Sequence, residues 1–317
     1  MSKLDFEKPI VELETKINDL RQMGSKRVTL EPEIKRLESK LEKLKHDIYD
    51  NLSPWQRIQI ARHPGRPYTL DYIKFMTDEF LELHGDRLFG DDLSIVGGFA
   101  KIDGHKVMII GHQKGRDTKE NVMRNFGCAH PEGYRKAMRL MKMAAKFHVP
   151  VICLIDTPGA YPGIGAEERG QAQAIAENLR DMAVCETPII ATIIGEGGSG
   201  GALGIGVADK VLILEHAYYS VISPEGCASI LWRSSLKAPD AAKALKLHGE
   251  DLIKHKVVDE IVPEPSGGAH RNPEETAANL KAALLKNLKK LSGLSMKELM
   301  DHRYEKYRDI GQFIEKK

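Results

Sequence analysis

The residues best placed to do chemistry are the glycines of GEGGSGGALGIG, residues 195–206, which follow the apolar run PIIATII at 188–194. A strand that leads into a helix N-terminus presents backbone N–H groups without helical acceptors, together with the positive end of the helix dipole. Glycine keeps these groups open to an oxygen atom, and such donors stabilise it most when it becomes negative during a reaction. We therefore predict an oxyanion hole formed by the amides of Gly200, Gly201 and Ala202.

The same segment leaves two other interpretations open. It matches the dinucleotide-binding pattern GxGxxG at Gly195, Gly197 and Gly200, and Glu215 stands where an acid that binds ribose is expected. Only about eight residues, 201–208, remain for the following helix, which is short for a crossover. Alternatively, the glycines only permit tight packing of a helix on a strand. A P-loop is excluded, because it requires a lysine after its second glycine.

A second glycine-rich loop, DTPGAYPGIGAEERG at 156–170, follows another apolar run. Loops at the same end of adjacent parallel strands converge on one crevice, so we expect the two loops to face each other. Glu167 and Glu168 could act there as acid–base groups, although acids in a first helical turn ordinarily partner the helix dipole.

The loop 114–124 is basic and has two possible roles. It is either a solvated face or a site for an anion such as a cofactor phosphate. Its cations are Lys114, Arg116, Lys119 and Arg124.

Three regions must position these loops. Residues 1–60 show apolar spacing of three and four with breaks at Met23–Ser25 and Pro32, which predicts an N-terminal helical hairpin of coiled-coil type. Residues 61–262 repeat a strand, a glycine-rich loop and a helix, which predicts an α/β core of parallel strands covered on both faces. Residues 263–317 are charged and predict a C-terminal helical extension.

Composition narrows the class of protein. The chain has 317 residues, 42% apolar and 29% charged, which is typical of a soluble globular protein. Its net charge of +2 argues against nucleic-acid binding as its main role. No signal peptide is visible, and no window approaches the roughly 20 apolar residues that span a membrane. The four cysteines form no CxxC pair, so we expect reduced thiols, no metal site and a cytoplasmic location.

Several motifs together resemble a known family, the carboxyltransferase α subunit of bacterial acetyl-CoA carboxylase. They are DTPGAYPG, EGGSGGALGIG, SPEGCASILWR, ARHPGRPYTLDYI and LHGDRLFGDD, and the resemblance covers nearly the whole chain. It implies a crotonase-like spiral of repeated β-β-α units, with an N-terminal helical hairpin and C-terminal helices. The implied reaction transfers the carboxyl group of carboxybiotin to acetyl-CoA and gives malonyl-CoA for fatty-acid synthesis.

The resemblance also implies partners. These are a β subunit that bears a zinc ribbon and completes an α2β2 assembly, a biotin carboxyl carrier protein, and biotin carboxylase. Carboxybiotin is borne by the separate carrier, and this chain is expected to bind no metal or nucleotide. No membrane partner is implied.

The site residues follow by analogy with related carboxyltransferases. The α-type half holds the biotin oxygen, a role that falls on the amides of Gly200, Gly201 and Ala202. The further residues expected to bind biotin or substrate are Gly159, Ala160, Gly198 and Ser199. Another crotonase-type acyl-CoA enzyme, such as an enoyl-CoA hydratase, stays an alternative that would need paired carboxylates facing the crevice.

Overall fold

One mixed sheet carries both glycine-rich loops. The computed structural model describes residues 4–24 and 30–311, and within these ranges eight strands form the sheet. They are β1 (Glu79–Glu82), β2 (Ile95–Ile102), β3 (His105–His112), β4 (Val151–Thr157), β5 (Ile189–Gly198), β6 (Lys210–Leu214), β7 (Tyr218–Ser220) and β8 (Glu260–Val262). Across the sheet the order is β1-β2-β3-β4-β5-β6-β8, and β7 pairs with β5.

Helices cover this sheet, and further helices precede its first strand and follow its last strand. In the described ranges they are α1 (Lys8–Gly24), α2 (Glu31–Tyr49), α3 (Pro54–Ala61), α4 (Thr69–Met76), α5 (Thr118–Met123), α6 (Pro131–Lys146), α7 (Ile164–Glu168), α8 (Gln171–Ala183), α9 (Ser199–Leu203), α10 (Pro224–Trp232), α11 (Ala238–Leu245), α12 (Gly249–Lys254), α13 (Pro273–Leu291) and α14 (Met296–Arg308). None of them is both long enough and apolar enough to cross a membrane.

The central strands are parallel and buried on both faces. Strands β3, β4, β5, β6 and β8 pair parallel with one another in that order, whereas β1 pairs antiparallel with β2, and β2 antiparallel with β3. Every residue of β4 and of β5 is buried. This explains the continuous apolar runs, because a strand covered by helices on both faces does not alternate with polar residues.

The pairing of β4 with β5 contains a bulge near the two glycine-rich loops. Ile155 pairs with Ile193, but the next pair is Thr157 with Gly197, so the register shifts around Asp156. Beyond the shift, the end of β5 pairs with β7 instead of β6. Such a bulge re-aims the strand ends, and here it turns the two glycine-rich loops toward each other.

The N-terminal hairpin predicted from the sequence is present. Arg21, late in α1, lies 2.5 Å from Glu38, early in α2, and Glu14 lies 3.5 Å from Lys45, so the two helices run antiparallel. Pro32 lies in the first turn of α2, where proline is tolerated, and not in the connection. Residues 25–29, which include the predicted break at Ser25, are outside the described ranges.

The predicted boundary at residue 60 falls inside α3. Ile58 and Ala61 of this helix pack against Tyr218, Ala242 and Leu247 of the core. The division into regions 1–60, 61–262 and 263–317 therefore stays a prediction.

A buried ion pair fastens the start of the core to its last strand. Arg66, which is 1% exposed, donates to both carboxylate oxygens of Glu264 at 2.6 and 2.7 Å and to the Ile194 carbonyl at 2.9 and 3.2 Å. Burial acts to raise the pKa of Glu264, yet the guanidinium lowers that pKa to about 2. The carbonyl that Arg66 holds lies directly before the glycine-rich segment.

The C-terminal helix α14 is held against the core by buried side chains, of which Arg303 makes the most hydrogen bonds. Arg303, also 1% exposed, makes two hydrogen bonds to Asp209 and reaches the carbonyls of Met182, Cys185 and Thr187 at 2.7–2.8 Å. Its five donors thus divide between the Asp209 carboxylate and backbone carbonyls in and after the last turn of α8.

Candidate active site

The two glycine-rich loops meet through their backbones. A Cβ atom on Gly201 would lie 2.4 Å from the Gly159 carbonyl carbon and 2.5 Å from the Ala160 nitrogen. A Cβ on Gly198 would lie 2.2 Å from the Pro158 carbonyl oxygen. The structure therefore brings the predicted residues of both loops together, and it shows that tight packing accounts for part of the glycine content.

Helix α9 begins directly at the end of β5. Its first residue, Ser199, has φ 53°, and its side chain is exposed. A left-handed serine is a strained conformation, and such residues concentrate at functional sites. The sharp turn leaves the N-terminal end of α9 at the meeting point of the loops. The carbonyl of the N-cap residue Gly198 accepts the first helical bond, from Ala202, so Gly200 and Gly201 have the amides without a helical acceptor.

The strand-to-helix turn at Ser199 resembles the elbow on which hydrolases present a serine nucleophile. A nucleophile needs a base within hydrogen-bond distance. Among the described side chains, none hydrogen-bonds to the Ser199 hydroxyl. The turn therefore presents backbone amides and no activated oxygen.

The glycines of the GxGxxG match have other roles. Gly195 and Gly197 lie inside β5 and not in a turn after it. A Cβ on Gly195 would lie 2.6 Å from a carboxylate oxygen of Asp156, and one on Gly197 would lie 2.8 Å from the Tyr219 ring. Glu215, the expected ribose ligand, accepts a hydrogen bond from the Glu264 amide. The dinucleotide interpretation thus loses its structural basis.

A buried charge cluster lies between the loops. Lys114 Nζ is 2.7 Å from Asp156 Oδ1 and 3.5 Å from Glu196 Oε1, and the Glu196 amide donates to Asp156 Oδ1 at 2.9 Å. Burial acts to lower the pKa of Lys114, but the two carboxylates raise it above the usual value. Burial likewise acts to raise the pKa of Glu196, while Lys114 and Arg62 hold it below the usual range.

The cluster continues to the helices on one side. Arg62 Nε lies 3.4 Å from Glu196, and its Nη1 is 2.5 Å from Glu225 of α10. The Tyr218 hydroxyl donates to Glu196 Oε2 at 3.0 Å. Both buried carboxylates are thus bound by cations and hydrogen bonds, unlike the free carboxylate pair that an enoyl-CoA hydratase would need.

The basic loop uses three of its four cations internally. Besides Lys114, Arg116 hydrogen-bonds to Asp71 and stacks on Tyr68, and Arg124 hydrogen-bonds to Glu120 and to the Leu93 carbonyl. Lys119 is exposed. Lys114, Arg116 and Arg124 therefore connect loop 114–124 to the core, and this structural role accounts for three of its four cations.

A neutral imidazole lies behind the segment. His112, at the end of β3, is fully buried, and its ring lies beside the Gly201 backbone. Burial, reinforced by the charge of Lys114, lowers the pKa of His112 to about 3. It is therefore uncharged at any physiological pH.

A strained turn beside the cluster was not predicted from the sequence. Asn125, Phe126 and Gly127 all have positive φ, at 50°, 55° and 80°. A Cβ on Gly127 would lie 2.9 Å from the Lys114 side chain and 3.2 Å from the Asp156 carbonyl oxygen. Asn and Gly are the residue types that adopt this conformation most easily, so Asn-x-Gly was the available signal.

The remaining predicted residues lie as follows. Gly159 and Ala160 are half-buried, and Ala202 is buried. Glu167 and Glu168 are exposed on α7. In the described ranges no three His, Cys, Asp or Glu side chains are arranged to hold a metal ion.

A groove of about 330 Å³ opens beside the start of α9. This volume lies in the range of small-ligand sites. Its lining is mainly apolar and comprises Ser199, Leu203, Tyr219, Ser220, Val221, Leu245, Lys246, Leu252 and Val257.

Comparison with known proteins places the chain in a family. The model of the family described as acetyl co-enzyme A carboxylase carboxyltransferase-like matches residues 3–311. An acetyl-coenzyme A carboxylase carboxyl transferase subunit alpha from Geobacter metallireducens is 58% identical over 313 residues, 99% of this chain and 98% of that protein. The corresponding subunit from Thermus thermophilus is 56% identical over 313 residues, 98% of this chain and 99% of that protein.

Solved structures share the fold at lower identity. Transcarboxylase 12S matches with a TM-score of 0.55 and 21% identity over 74% of this chain and 46% of that one, so this chain spans less than half of the transcarboxylase chain. A Pseudomonas malonate decarboxylase hetero-tetramer in complex with coenzyme A matches with a TM-score of 0.59 and 16% identity, over 74% and 91%. These likenesses confirm the predicted crotonase-like α/β fold, and the full-length relatives favour carboxyl transfer over the oxidoreductase alternative. The chain belongs to the acetyl-CoA carboxylase carboxyltransferase family.

Proposed function

We propose that this chain is the half of a carboxyltransferase that holds biotin while a carboxyl group passes from carboxybiotin to acetyl-CoA. The product is malonyl-CoA, and the reaction commits carbon to fatty-acid synthesis. One observation carries the proposal: Gly201 packs on the Gly159–Ala160 backbone, so the residues of both glycine-rich loops meet at the N-terminal end of α9. Family membership over residues 3–311 supports it.

The chemistry assigned to the site is stabilisation of a developing negative charge. When the bond between N1′ of the ureido ring and the carboxyl carbon breaks, charge grows on the ureido oxygen. The amides of Gly200 and Gly201 donate to that oxygen, whereas the Ala202 amide, the third donor expected from the sequence, makes the first hydrogen bond of α9. A single donor of this kind is worth about 3–4 kcal/mol of barrier. Gly198, Ser199, Gly159 and Ala160 shape the space around it.

We assign the proton of the thioester to the ureido nitrogen and not to a side chain. Asp156 and Glu196 are bound by Lys114 and Arg62, and His112 is fully buried. Carboxybiotin would supply the carboxyl group and, once that group has left, a ureido nitrogen able to take the α-proton, so that the α-carbon of acetyl-CoA could form the new bond to the carboxyl carbon. The apolar groove of about 330 Å³ beside α9 is the proposed place for the non-polar part of the biotin ring system.

A partner chain is proposed to complete the pocket. This partner is a β subunit with a zinc ribbon, joined to the chain in an α2β2 assembly. The biotin carboxyl carrier protein and biotin carboxylase supply carboxybiotin. The face of α10 supports this, because Ile230, Leu231 and Trp232 are 72, 64 and 44% exposed there. Large apolar side chains grouped on a surface mark interaction sites. We place the reaction in the cytoplasm.

The test is a reconstituted reaction. The chain is mixed with a β subunit, a carboxylated biotin carrier and acetyl-CoA, and malonyl-CoA is measured by mass spectrometry. We expect product from the mixture and none from either chain alone. A fully assembled complex that forms no malonyl-CoA would disprove the proposal.

A further inference from the structure

The charge cluster between the loops does not contact the proposed donors, but it joins the strands that carry them. Asp156 lies at the bulge of β4, where the ladder to β5 loses its register. Its Oδ1 accepts the Glu196 amide, and this bond replaces the strand pairing lost at the bulge. Gly195 makes this contact possible, because a Cβ there would lie 2.6 Å from the same oxygen.

One cation balances this arrangement. Lys114 Nζ contacts Asp156 and Glu196 together, and the side chains of the three residues are 13, 4 and 9% exposed. Two carboxylates this close repel each other when little water screens them. The guanidinium of Arg62 is shared with Glu225, so it does not replace the ammonium.

We propose that Lys114 is a positioning residue for carboxyl transfer: through Asp156 and Glu196 it sets the spacing between the 157–160 loop and the amides at the start of α9. This inference rests on the proposed function. Thr157 and Gly159 follow Asp156 by one and three residues, and Gly198 follows Glu196 by two. A displacement of either carboxylate is therefore transmitted directly to the backbone that shapes the oxyanion site.

The other charged and titratable groups around the cluster come from several elements. They are Arg62, Arg66, Tyr68, His112, Cys128 and Tyr218. Arg66 is committed to Glu264, and His112 is neutral, so neither supplies a replacement charge.

The experiment compares Lys114→Met with Lys142→Met in the assembled complex with a β subunit. Lys142 serves as the matched control because its side chain is 64% exposed and pairs only with Asp181 at the surface. We expect Lys114→Met to lower kcat about tenfold to a hundredfold, as small displacements of catalytic donors do, with the KM for acetyl-CoA nearly unchanged. The control keeps the wild-type values.

The pH profile separates positioning from mere stabilisation. Without the ammonium, the pKa of the Glu196 carboxyl rises, because Lys114 is the first of the two cations that hold it below its usual range against burial. Below that raised pKa Glu196 carries a proton, and its repulsion with the neighbouring carboxyl group is absent. As pH rises through that pKa Glu196 becomes charged, so the ratio of variant to wild-type kcat should fall as pH rises.

A second variant tests the charge balance. In Lys114→Met/Asp156→Asn the amide oxygen still accepts the Glu196 N–H, and a single carboxylate remains opposite Arg62. We expect this variant to recover at least half of the lost kcat on a logarithmic scale and to lose the pH dependence. Recovery would not follow if Lys114 only filled space, since the double variant replaces the same lysine.

Amide hydrogen exchange provides a readout that does not depend on turnover. Exchange at residues 157–160 and 196–201 should accelerate in Lys114→Met and return toward wild type in the double variant. If the wild-type complex transfers no carboxyl group, the proposed function is wrong, and exchange still decides the positioning role. Wild-type exchange in Lys114→Met, or wild-type kcat and pH profile in an assembled complex, would overturn the inference.

Discussion

At the scale of single residues, the neighbouring glycines Gly200 and Gly201 differ in how much space a side chain would find. A Cβ on Gly201 would collide with the Gly159–Ala160 backbone at 2.4 Å, whereas one on Gly200 would meet only Ile175, at 3.8 Å. Both amides are proposed donors. The steric requirement therefore falls on Gly201, and the difference offers a test of how the loops are held.

We expect Gly201→Ala to reduce turnover of the assembled complex by about a hundredfold or more, because the methyl group must push the loops apart and displace the donors. Gly200→Ala, which keeps its amide and finds open space, should lose at least tenfold less. Steady-state malonyl-CoA formation measures both. Equal losses in the two variants would show that packing against the 159–160 backbone does not control the site.

Sequence reasoning could find the glycine residues but not the cluster that supports them. GEGGSGGALGIG and DTPGAYPG are local patterns, and their convergence follows from the geometry of parallel strands. Lys114, Asp156 and Glu196 are separated by 42 and 40 residues, and no periodicity links them. Their pairing depends on the bulge in β4, which nothing in the strand's composition indicates.

At the scale of elements, the apolar spacing predicted the helices that flank the core, and the repeated strands of 61–262 predicted a parallel sheet. The antiparallel pairing of β1 with β2 and β2 with β3 was not predicted. Two glycines lie in the middle of β2. A Cβ atom on one of them, Gly98, would lie 2.0 Å from the Leu81 carbonyl oxygen of β1.

Arg303 is the most extensively hydrogen-bonded residue of α14, and replacing it with lysine should show how much it contributes to holding the helix. Lysine keeps the charge but has three donors on one nitrogen, so it cannot reach Asp209 and three carbonyls together. We expect Arg303→Lys to lower the free energy of unfolding by about 3 kcal/mol, since buried acceptors lose their partners. Urea unfolding followed by circular dichroism measures it.

Arg308→Lys on the same helix is the matched control. Arg308 is exposed, and its hydrogen bond is to the neighbouring Tyr304. Its substitution should change the free energy of unfolding by less than about 0.5 kcal/mol. If the two variants were equally stable, the network around Arg303 would not be what fixes α14.

At the scale of the whole molecule, the exposed apolar face of α10 predicts where a partner binds. Ile230→Asp/Leu231→Asp should weaken binding of the β subunit by at least about tenfold, because a charge at the centre of an apolar interface must be desolvated. Isothermal titration calorimetry gives the dissociation constant.

The control for the double variant Ile230→Asp/Leu231→Asp is Val184→Asp. Val184 is 67% exposed and follows α8. We expect unchanged affinity for this variant and little change in melting temperature for either, since exposed side chains contribute little to folding. Partner affinity that stays at the wild-type value in the α10 variant would rule out this face as the interface.

The pairing of Arg66 with Glu264 has a consequence for how the protein is made. The two residues are 198 positions apart. At a translation rate of 5–20 residues per second, the ribosome needs about 10 to 40 s to deliver the carboxylate after the guanidinium. During that interval the nascent chain holds a cation with no buried counterion, so the core around β5 closes only after residue 264 has been synthesised.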